Sequence, residues 1–155
     1  MIRVGNGFDV HAYDEASPLR LAGLDWPGEP GLSGHSDGDA VCHAVVDALL
    51  SAAGLGDIGE LVGVDQPGTA GAASTGFVRL ALDRLAAAGW RPVNVTVQIV
   101  GNRPRFAARR AEAQQAMSEL VGAPVSLAAT TTDHLGFTGR GEGLAAIATA
   151  LIEQA

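Results

Sequence analysis

The sequence has no lysine, a single cysteine, few aromatic side chains and no long apolar run. Each absence excludes something. One cysteine cannot form an intrachain disulfide, and it fits a reducing compartment. All 10 basic residues are arginine, the formal net charge is −7, and arginines cluster only at Arg103, Arg105, Arg109 and Arg110. That balance lacks the broad basic footprint of a nucleic-acid binder. No stretch reaches the length of a membrane span, and a strand-like pattern begins within a few residues of Met1, where a signal or transit peptide would otherwise stand. The expectation is a soluble, cytoplasmic protein with no nucleic-acid or membrane partner.

Aromatics are 5% of the chain and hydrophobic residues 47%, so the core must be made of small aliphatic side chains. This suits close helix-on-sheet packing and buried subunit contacts. Residues 1–155 are read as one domain.

The most informative stretch is Gly34-His35-Ser36-Asp37-Gly38-Asp39, a loop of small polar residues, followed by an apolar-periodic helix from Asp39 to about Gly54. Val41, Ala44, Val45, Ala48, Leu49 and Ala52 form its apolar stripe. His43 falls on another face, in line with Asp39 and Asp47 one turn to either side. A loop opening a helix is a natural anion site. A histidine there can ligate a metal while giving its other nitrogen to an aspartate. The segment alone is equally a capped helix with one half-exposed histidine.

Ile2 to Val10 reads as a strand loosened by Gly5 and Gly7, and it delivers Asp9 and His11 to one side. With His43 these make two histidines and a carboxylate, the donor set of a zinc site with an open position, which also admits manganese or cobalt. Cys42 lies about a hundred degrees around the helix from His43 and is read as core. Leu19 to Trp26, with Gly23 at its centre, reads as a hairpin closed off by Pro27 and Pro30. Gly54 to Glu60 is a glycine-rich loop that either lets a ligand approach the backbone or simply ends a helix. Val64 to Ala73 is glycine-rich and reads as a flap.

Ser74 is a good N-cap for a helix to Ala88, with Gly89 as its stop. Val93 to Val100 alternates as a clear strand. After Gly101 to Arg105, a helix carrying Ala108, Ala111, Met117 and Leu120 runs to Gly122. Its arginine-rich start opposes the helix dipole, which points either to a facing anion or to a solvated basic turn. Val125 to Ala129 is a strand; Leu144 to Ile152 alternates as a strand but also fits an alanine-rich helix, and is taken as a strand because the preceding loop then makes a simple hairpin. The order gives helices on one face of a mixed sheet.

Phe8-Asp9-Val10-His11, Gly34-His35-Ser36-Asp37-Gly38-Asp39, Leu55-Gly56-Asp57-Ile58-Gly59, Thr130-Thr131-Thr132-Asp133 and Leu135-Gly136-Phe137-Thr138-Gly139-Arg140-Gly141-Glu142-Gly143 occur in that order. Through these motifs essentially the whole chain resembles the 2-C-methyl-D-erythritol 2,4-cyclodiphosphate synthases of the non-mevalonate isoprenoid pathway. The architecture expected is α/β (α+β), a four-stranded mixed sheet with helices on one face, ferredoxin-like, assembled as a homotrimer with sites between subunits. The resemblance implies that Asp9, His11 and His43 hold zinc. His35 and Ser36 would meet the phosphates, and His35 with Thr131 would position the reacting group. Asp57, Ile58 and Gly59 would hold the erythritol moiety. Gly101, Asn102, Arg103, Pro104, Arg105 and Phe106, with Thr130, Thr131 and Thr132, would enclose cytidine and its diphosphate from the neighbouring subunit. Asp133 stands where a glutamate usually binds a second ion, magnesium or manganese. Phe137 and Arg140, counted among the substrate-binding positions, match residues lining a central channel that takes isoprenoid diphosphates in similar proteins.

The chain departs from the family pattern in four places. Asn6 replaces a common histidine, and Arg105 a frequent lysine. Asp133 is one methylene shorter than glutamate. Val62-Gly63-Val64-Asp65-Gln66 replaces an acidic, proline-containing flap. The implied reaction is attack of the 2-phosphate of 4-diphosphocytidyl-2-C-methyl-D-erythritol 2-phosphate on its β-phosphorus, expelling CMP. It needs charge neutralisation and alignment more than a general base. A zinc phosphohydrolase and a trimeric isoprenoid-diphosphate-binding protein are the two competing readings.

Overall fold

The computed structural model describes residues 1–63 and 72–155. Strand β1 (Ile2–Leu21) turns at Ala22-Gly23 into β2 (Leu24–Leu32). Helices α1 (Ala40–Ala53), α2 (Ile58–Val62) and α3 (Ser74–Ala87) follow. Then come β3 (Trp90–Val100), a 3₁₀ turn (Phe106–Arg109), α4 (Arg110–Val121), β4 (Val125–Thr130), the short α5 (Gly136–Gly139) and β5 (Gly143–Gln154).

The sheet has five strands in the order β2-β1-β5-β3-β4, not four. The extra strand arises because β1 is twice as long as expected. Its first half pairs with β5 and its second half, Tyr13 to Leu21, pairs with β2. Pro27 and Pro30 do not close the hairpin off; they lie within β2. An edge strand tolerates proline because its outer N–H groups need no partner, and the register breaks beside them. The order also differs from a ferredoxin-like sheet: β3 and β4 are parallel neighbours, connected through α4.

Strand β5 is where the expectation was half right. It is a strand, but it does not form a hairpin with β4. It runs antiparallel to both β1 and β3 and fills the gap between them. Local alternation identifies a strand, whereas its partners are chosen by long-range packing. Leu144, Ala146, Ala148, Ala150 and Ile152 all point to the helical side and are fully buried.

Helix α1 lies on this surface and is buried over most of its length, including Cys42 and His43, with only Asp47, Ser51 and Ala53 outside the buried set. A helix so largely apolar belongs inside a layered fold, here between β1 and β5 on one side and α3 on the other. Gly5 and Gly7 do more than loosen β1. A Cβ at Gly7 would stand 1.9 Å from the Ala44 carbonyl oxygen, and one at Gly5 2.3 Å from that of Ala48. Backbone meets backbone at both positions. Helix α4 buries Ala113, Met117 and Val121, while Ala108 and Ala111 are exposed, so its apolar face is rotated from the expected one.

Gly7→Ala should therefore destabilise by at least about 2 kcal/mol, because the obstructing atom belongs to the helix backbone and cannot swing aside. Gly76→Ala, in α3 with open space around its would-be Cβ, should instead stabilise by up to about 1 kcal/mol. Urea unfolding of the two variants beside the parent chain checks both signs.

Candidate functional site

The close approach of α1 determines what β1 can present. Two residues along a strand advance about 6.7 Å and four along a helix about 6 Å. Gly5 faces Ala48 and Ala52, and Gly7 faces Ala44 and Ala48. The next inward residue, Asp9, thus falls beside the first turn of α1, where His43 sits. Asp9 Oδ2 is 2.6 Å from His11 Nδ1 and 3.7 Å from His43 Nδ1. Donor atoms of Asp9, His11 and His43 all lie within 4.8 Å of one another. Asp9 Oδ2 and His11 Nδ1 are buried and face each other at 2.6 Å, but neither makes a hydrogen bond of acceptable geometry to that neighbour or to any other group. Polar atoms buried without partners are costly, and their convergence fits a bound cation. Burial pushes the His43 pKa down despite the neighbouring Asp9 carboxylate, which favours the neutral imidazole a metal ligand requires. Cys42 is confirmed as core: it is fully buried and burial drives its thiol pKa well up.

The carboxylates expected beside His43 on its own helix are used elsewhere. Asp39 is the N-cap of α1 and accepts from Cys42 N–H at 3.1 Å. It also accepts from Ala22 N–H at 3.0 Å and Gly23 N–H at 2.8 Å, holding the positive-φ hairpin turn against the helix. Asp47 accepts from Ile58 N–H at 2.8 Å. Three residues on one face of a helix share an azimuth, but each rotamer goes to the nearest strong donor.

The other nitrogen of His43 finds hydroxyls. His43 Nε2 lies 2.8 Å from Ser74 Oγ and 3.1 Å from Ser36 Oγ. Ser74 is not a cap: Ala73 holds that position, and Ser74, wholly buried, donates its hydroxyl and its N–H to Asp37. Local sequence gives Ser74 only a capping role and Asp37 only a place in the Gly34–Asp39 loop, because the contact joins residues more than thirty positions apart. His35, next to Ser36, is exposed. Asp57 caps the short α2 by accepting from Glu60 N–H at 2.9 Å, and Ile58 N–H ties that cap to α1. The Gly54–Glu60 loop is thus a helix entry. The flap expected at Val64 to Ala73 lies outside the described residues except for Ala72 and Ala73, as do positions 64–66 of the altered Val62–Gln66 segment.

A second group of candidates lines a cavity of about 330 Å³ between β3, β4 and the 3₁₀ turn. Gly101, Asn102, Pro104, Arg105 and Phe106 meet Thr130 and Thr131 there, and Arg110 adds a second guanidinium. None of the three metal-donor residues lines it. Arg103 turns away to pair with Glu29 at 2.9 Å, and Arg109 stacks over Trp26 and pairs with Glu112. The anion expected to face these arginines is therefore in part the protein's own carboxylates; Arg105 and Arg110 alone face the cavity. Tyr13, two residues beyond His11, fixes the loop: its hydroxyl donates to Arg103 O at 2.8 Å and accepts from Arg103 N–H at 3.3 Å. Burial raises the Tyr13 pKa and keeps that donor protonated. Asn102 Nδ2 donates to Gly139 O.

Thr132 bonds Leu135 O and Thr138 and does not line the cavity. Asp133 and His134 are exposed at positive φ. Among the described residues Asp133 joins no other group of metal donors. Phe137 is partly exposed and Arg140 pairs with Glu142 at 2.8 Å.

A histidine-carboxylate cluster on a glycine-packed strand, with a basic cavity on the same sheet, places the chain in a known class. The profile of the YgbB family matches residues 2–153, and the chain belongs to that family. Among its relatives, the 2-C-methyl-D-erythritol 2,4-cyclodiphosphate synthase of Cutibacterium acnes is 58% identical over 97% of this chain and 90% of that protein. The bifunctional enzyme IspD/IspF of Clavibacter michiganensis subsp. michiganensis is 61% identical over 99% of this chain, which spans only 37% of that longer protein. The bifunctional IspDF of Campylobacter jejuni superposes with a TM-score of 0.95 at 35% identity, over all of this chain and 43% of that one. A 2C-methyl-D-erythritol-2,4-cyclodiphosphate synthase solved in its CDP-bound form superposes at 0.88 and 35% identity, over 97% of this chain and 100% of that one.

Asp39→Ala should cost about 2–4 kcal/mol, from one lost cap and two orphaned turn donors. The Asp9, His11 and His43 cluster should keep its metal uptake, since the Asp39 carboxylate makes no hydrogen bond to it and the Asp39 carbonyl that accepts from His43 N–H at 3.1 Å survives the substitution. Thermal unfolding and metal titration of the same sample check the two halves of that expectation.

Proposed function

We propose that this chain converts 4-diphosphocytidyl-2-C-methyl-D-erythritol 2-phosphate to 2-C-methyl-D-erythritol 2,4-cyclodiphosphate and CMP, acting as a metal-dependent phosphorus–oxygen lyase in isoprenoid precursor biosynthesis. The observation that carries this reading is the convergence of the buried Asp9 and His11 atoms, neither of them hydrogen-bonded, on His43 in a chain closely similar to named synthases. An ion at Asp9, His11 and His43, zinc by its donor set, and a second at Asp133, magnesium or manganese, would together neutralise the diphosphate.

The protein groups have the work of binding and alignment. An ionised phosphate attacking a phosphorus centre needs no general base, so His35 and Thr131 act as hydrogen-bond positioners. His35 and Ser36 meet the phosphates, and Asp57, Ile58 and Gly59 hold the erythritol. Gly101 to Phe106, with Thr130 to Thr132, enclose the cytidine diphosphate, and Arg105 and Arg110 supply positive charge at that cavity. Water must be kept out of line with the β-phosphorus, or hydrolysis replaces cyclisation.

The active assembly is a homotrimer of single-domain chains with each site shared between subunits. In support, the sheet face away from the helices exposes Val4 (64%), Phe8 (60%) and Ile147 (41%), with Phe8 directly opposite Ile147. A contiguous apolar face of this kind calls for a partner. The metal cluster and the basic cavity also share no lining residue. Phe137 and Arg140 line the central channel of that trimer, where an isoprenoid diphosphate binds. A cytoplasmic location accords with the finding that no helix of the described residues is long and apolar enough to cross a membrane.

Phosphorus NMR of the substrate incubated with enzyme, zinc and magnesium should show a cyclic diphosphate and CMP. Linear hydrolysis products would make the chain a phosphohydrolase, and an unchanged substrate would make it a binding protein. His43→Ala should lose zinc by metal analysis and activity by at least about a hundredfold, while sedimentation still shows a trimer. Asp133→Asn should keep its zinc but need more magnesium for half-maximal turnover. An unaltered magnesium curve would return Asp133 to a purely structural turn.

A further inference from the structure

We propose that Asp37 and Ser74 form a relay that selects the tautomer of His43, leaving the proton on Nε2 and the lone pair of Nδ1 aimed at Asp9 and His11. This rests on reading those three residues as a metal site. The relay joins three elements: Asp37 in the loop before α1, Ser74 in the first turn of α3, and His43 in the first turn of α1.

Asp37 is surrounded by donors: Ser74 N–H reaches Oδ2 at 3.0 Å, Asp39 N–H reaches Oδ1 at 3.1 Å, and Arg20 Nε stands 3.9 Å from Oδ2. A carboxylate can only accept. The contact between Ser74 Oγ and Asp37 Oδ1 therefore uses the one proton that the serine hydroxyl possesses. What remains on Ser74 Oγ is lone pairs, and His43 Nε2 stands 2.8 Å away. Two lone pairs would repel at that distance, so Nε2 must carry the hydrogen. In a neutral imidazole the other nitrogen is then bare. That nitrogen is the one 3.7 Å from Asp9 Oδ2. Ser36 Oγ, 3.1 Å from Nε2, accepts from Gly38 N–H at 3.4 Å and serves as a weaker second acceptor.

Metal-bound histidines commonly give their free N–H to a carboxylate directly. Here a serine is interposed, and the carboxylate acts one hydrogen bond further out. Ser74 is wholly buried, so water cannot replace its hydroxyl without a rearrangement. Asp37 N–H also donates to Ala72 O at 3.0 Å, which clamps the loop to the entry of α3. Asp37 and Ser74 are positioning residues: they act on the ion only through His43.

The test reads the ring directly. In the full-length, metal-stripped, ¹⁵N-labelled protein, two-bond ¹⁵N–¹H correlations show which nitrogen of His43 bears the proton, with His43→Gln identifying its signals. The expected form is Nε2–H, and a wild-type chain with Nδ1–H overturns the relay. Ser74→Ala should weaken zinc about 10–100-fold in a chelator competition and mix the two tautomers. Asp37→Ala removes the acceptor of the Ser74 hydroxyl, which frees the serine proton to face His43 and should populate Nδ1–H. Folded Ser74→Ala protein with the parent's tautomer and zinc affinity would reduce Ser74 to packing. A wild type that shows Nε2–H yet takes up no zinc would overturn the metal reading while upholding the relay.

Discussion

The contact on which the molecule depends is the approach of α1 to β1 at Gly5 and Gly7. With no Cβ on either residue, the helix backbone rests on the strand at distances that no other side chain would allow. Ala44 and Ala48 supply the small helical surface that completes the fit. An alanine-rich composition with few aromatics is what such a layer requires, since larger side chains would hold the helix off the sheet. The spacing then carries His43 to the strand position two residues beyond Gly7, where Asp9 and His11 already point inward. The packing constraint and the donor cluster are one feature.

Around that contact the buried polar groups form a closed system. Asp39 collects three backbone donors from the hairpin turn and the helix start. Asp37 collects the entry of α3 and, through Ser74, the ring of His43. Both carboxylates come from one short loop, and each holds a different neighbouring element against α1. Buried polar groups raise specificity in this way only when every member is satisfied. Asp9 Oδ2 and His11 Nδ1 are the exceptions, buried without a hydrogen bond beside His43, and they form the candidate metal site.

The basic cavity is held from outside as well as from beneath. Tyr13 secures Arg103 from β1, Glu29 pairs with it from β2, and Asn102 reaches the α5 segment. Trp26 packs against Phe106 with ring centroids 5.5 Å apart. The long β1 thus carries candidate metal donors at residues 9 and 11 and a loop anchor at residue 13. A shift of that strand would move the donor cluster and the cavity loop together.

Much of this was legible in the sequence because it is local. Alternation marked β3, β4 and β5, helical periodicity marked α1, and the residue types at 9, 11 and 43 named a metal-donor set. The family motifs added roles that single residues could not carry. What tertiary structure decided is everything that depends on a partner distant along the chain. Gly5 and Gly7 read as weak points of a strand until the helix above them was in place. Asp39 and Asp47 lay on the right side of α1 to serve His43, yet backbone donors from residues 22, 23 and 58 took them. β5 entered between β1 and β3 because a strand buried on its helical side gains more from two paired edges than from a short hairpin. Periodicity records which side of an element is apolar, but which polar atoms meet is decided only when elements far apart in the chain come within hydrogen-bond reach.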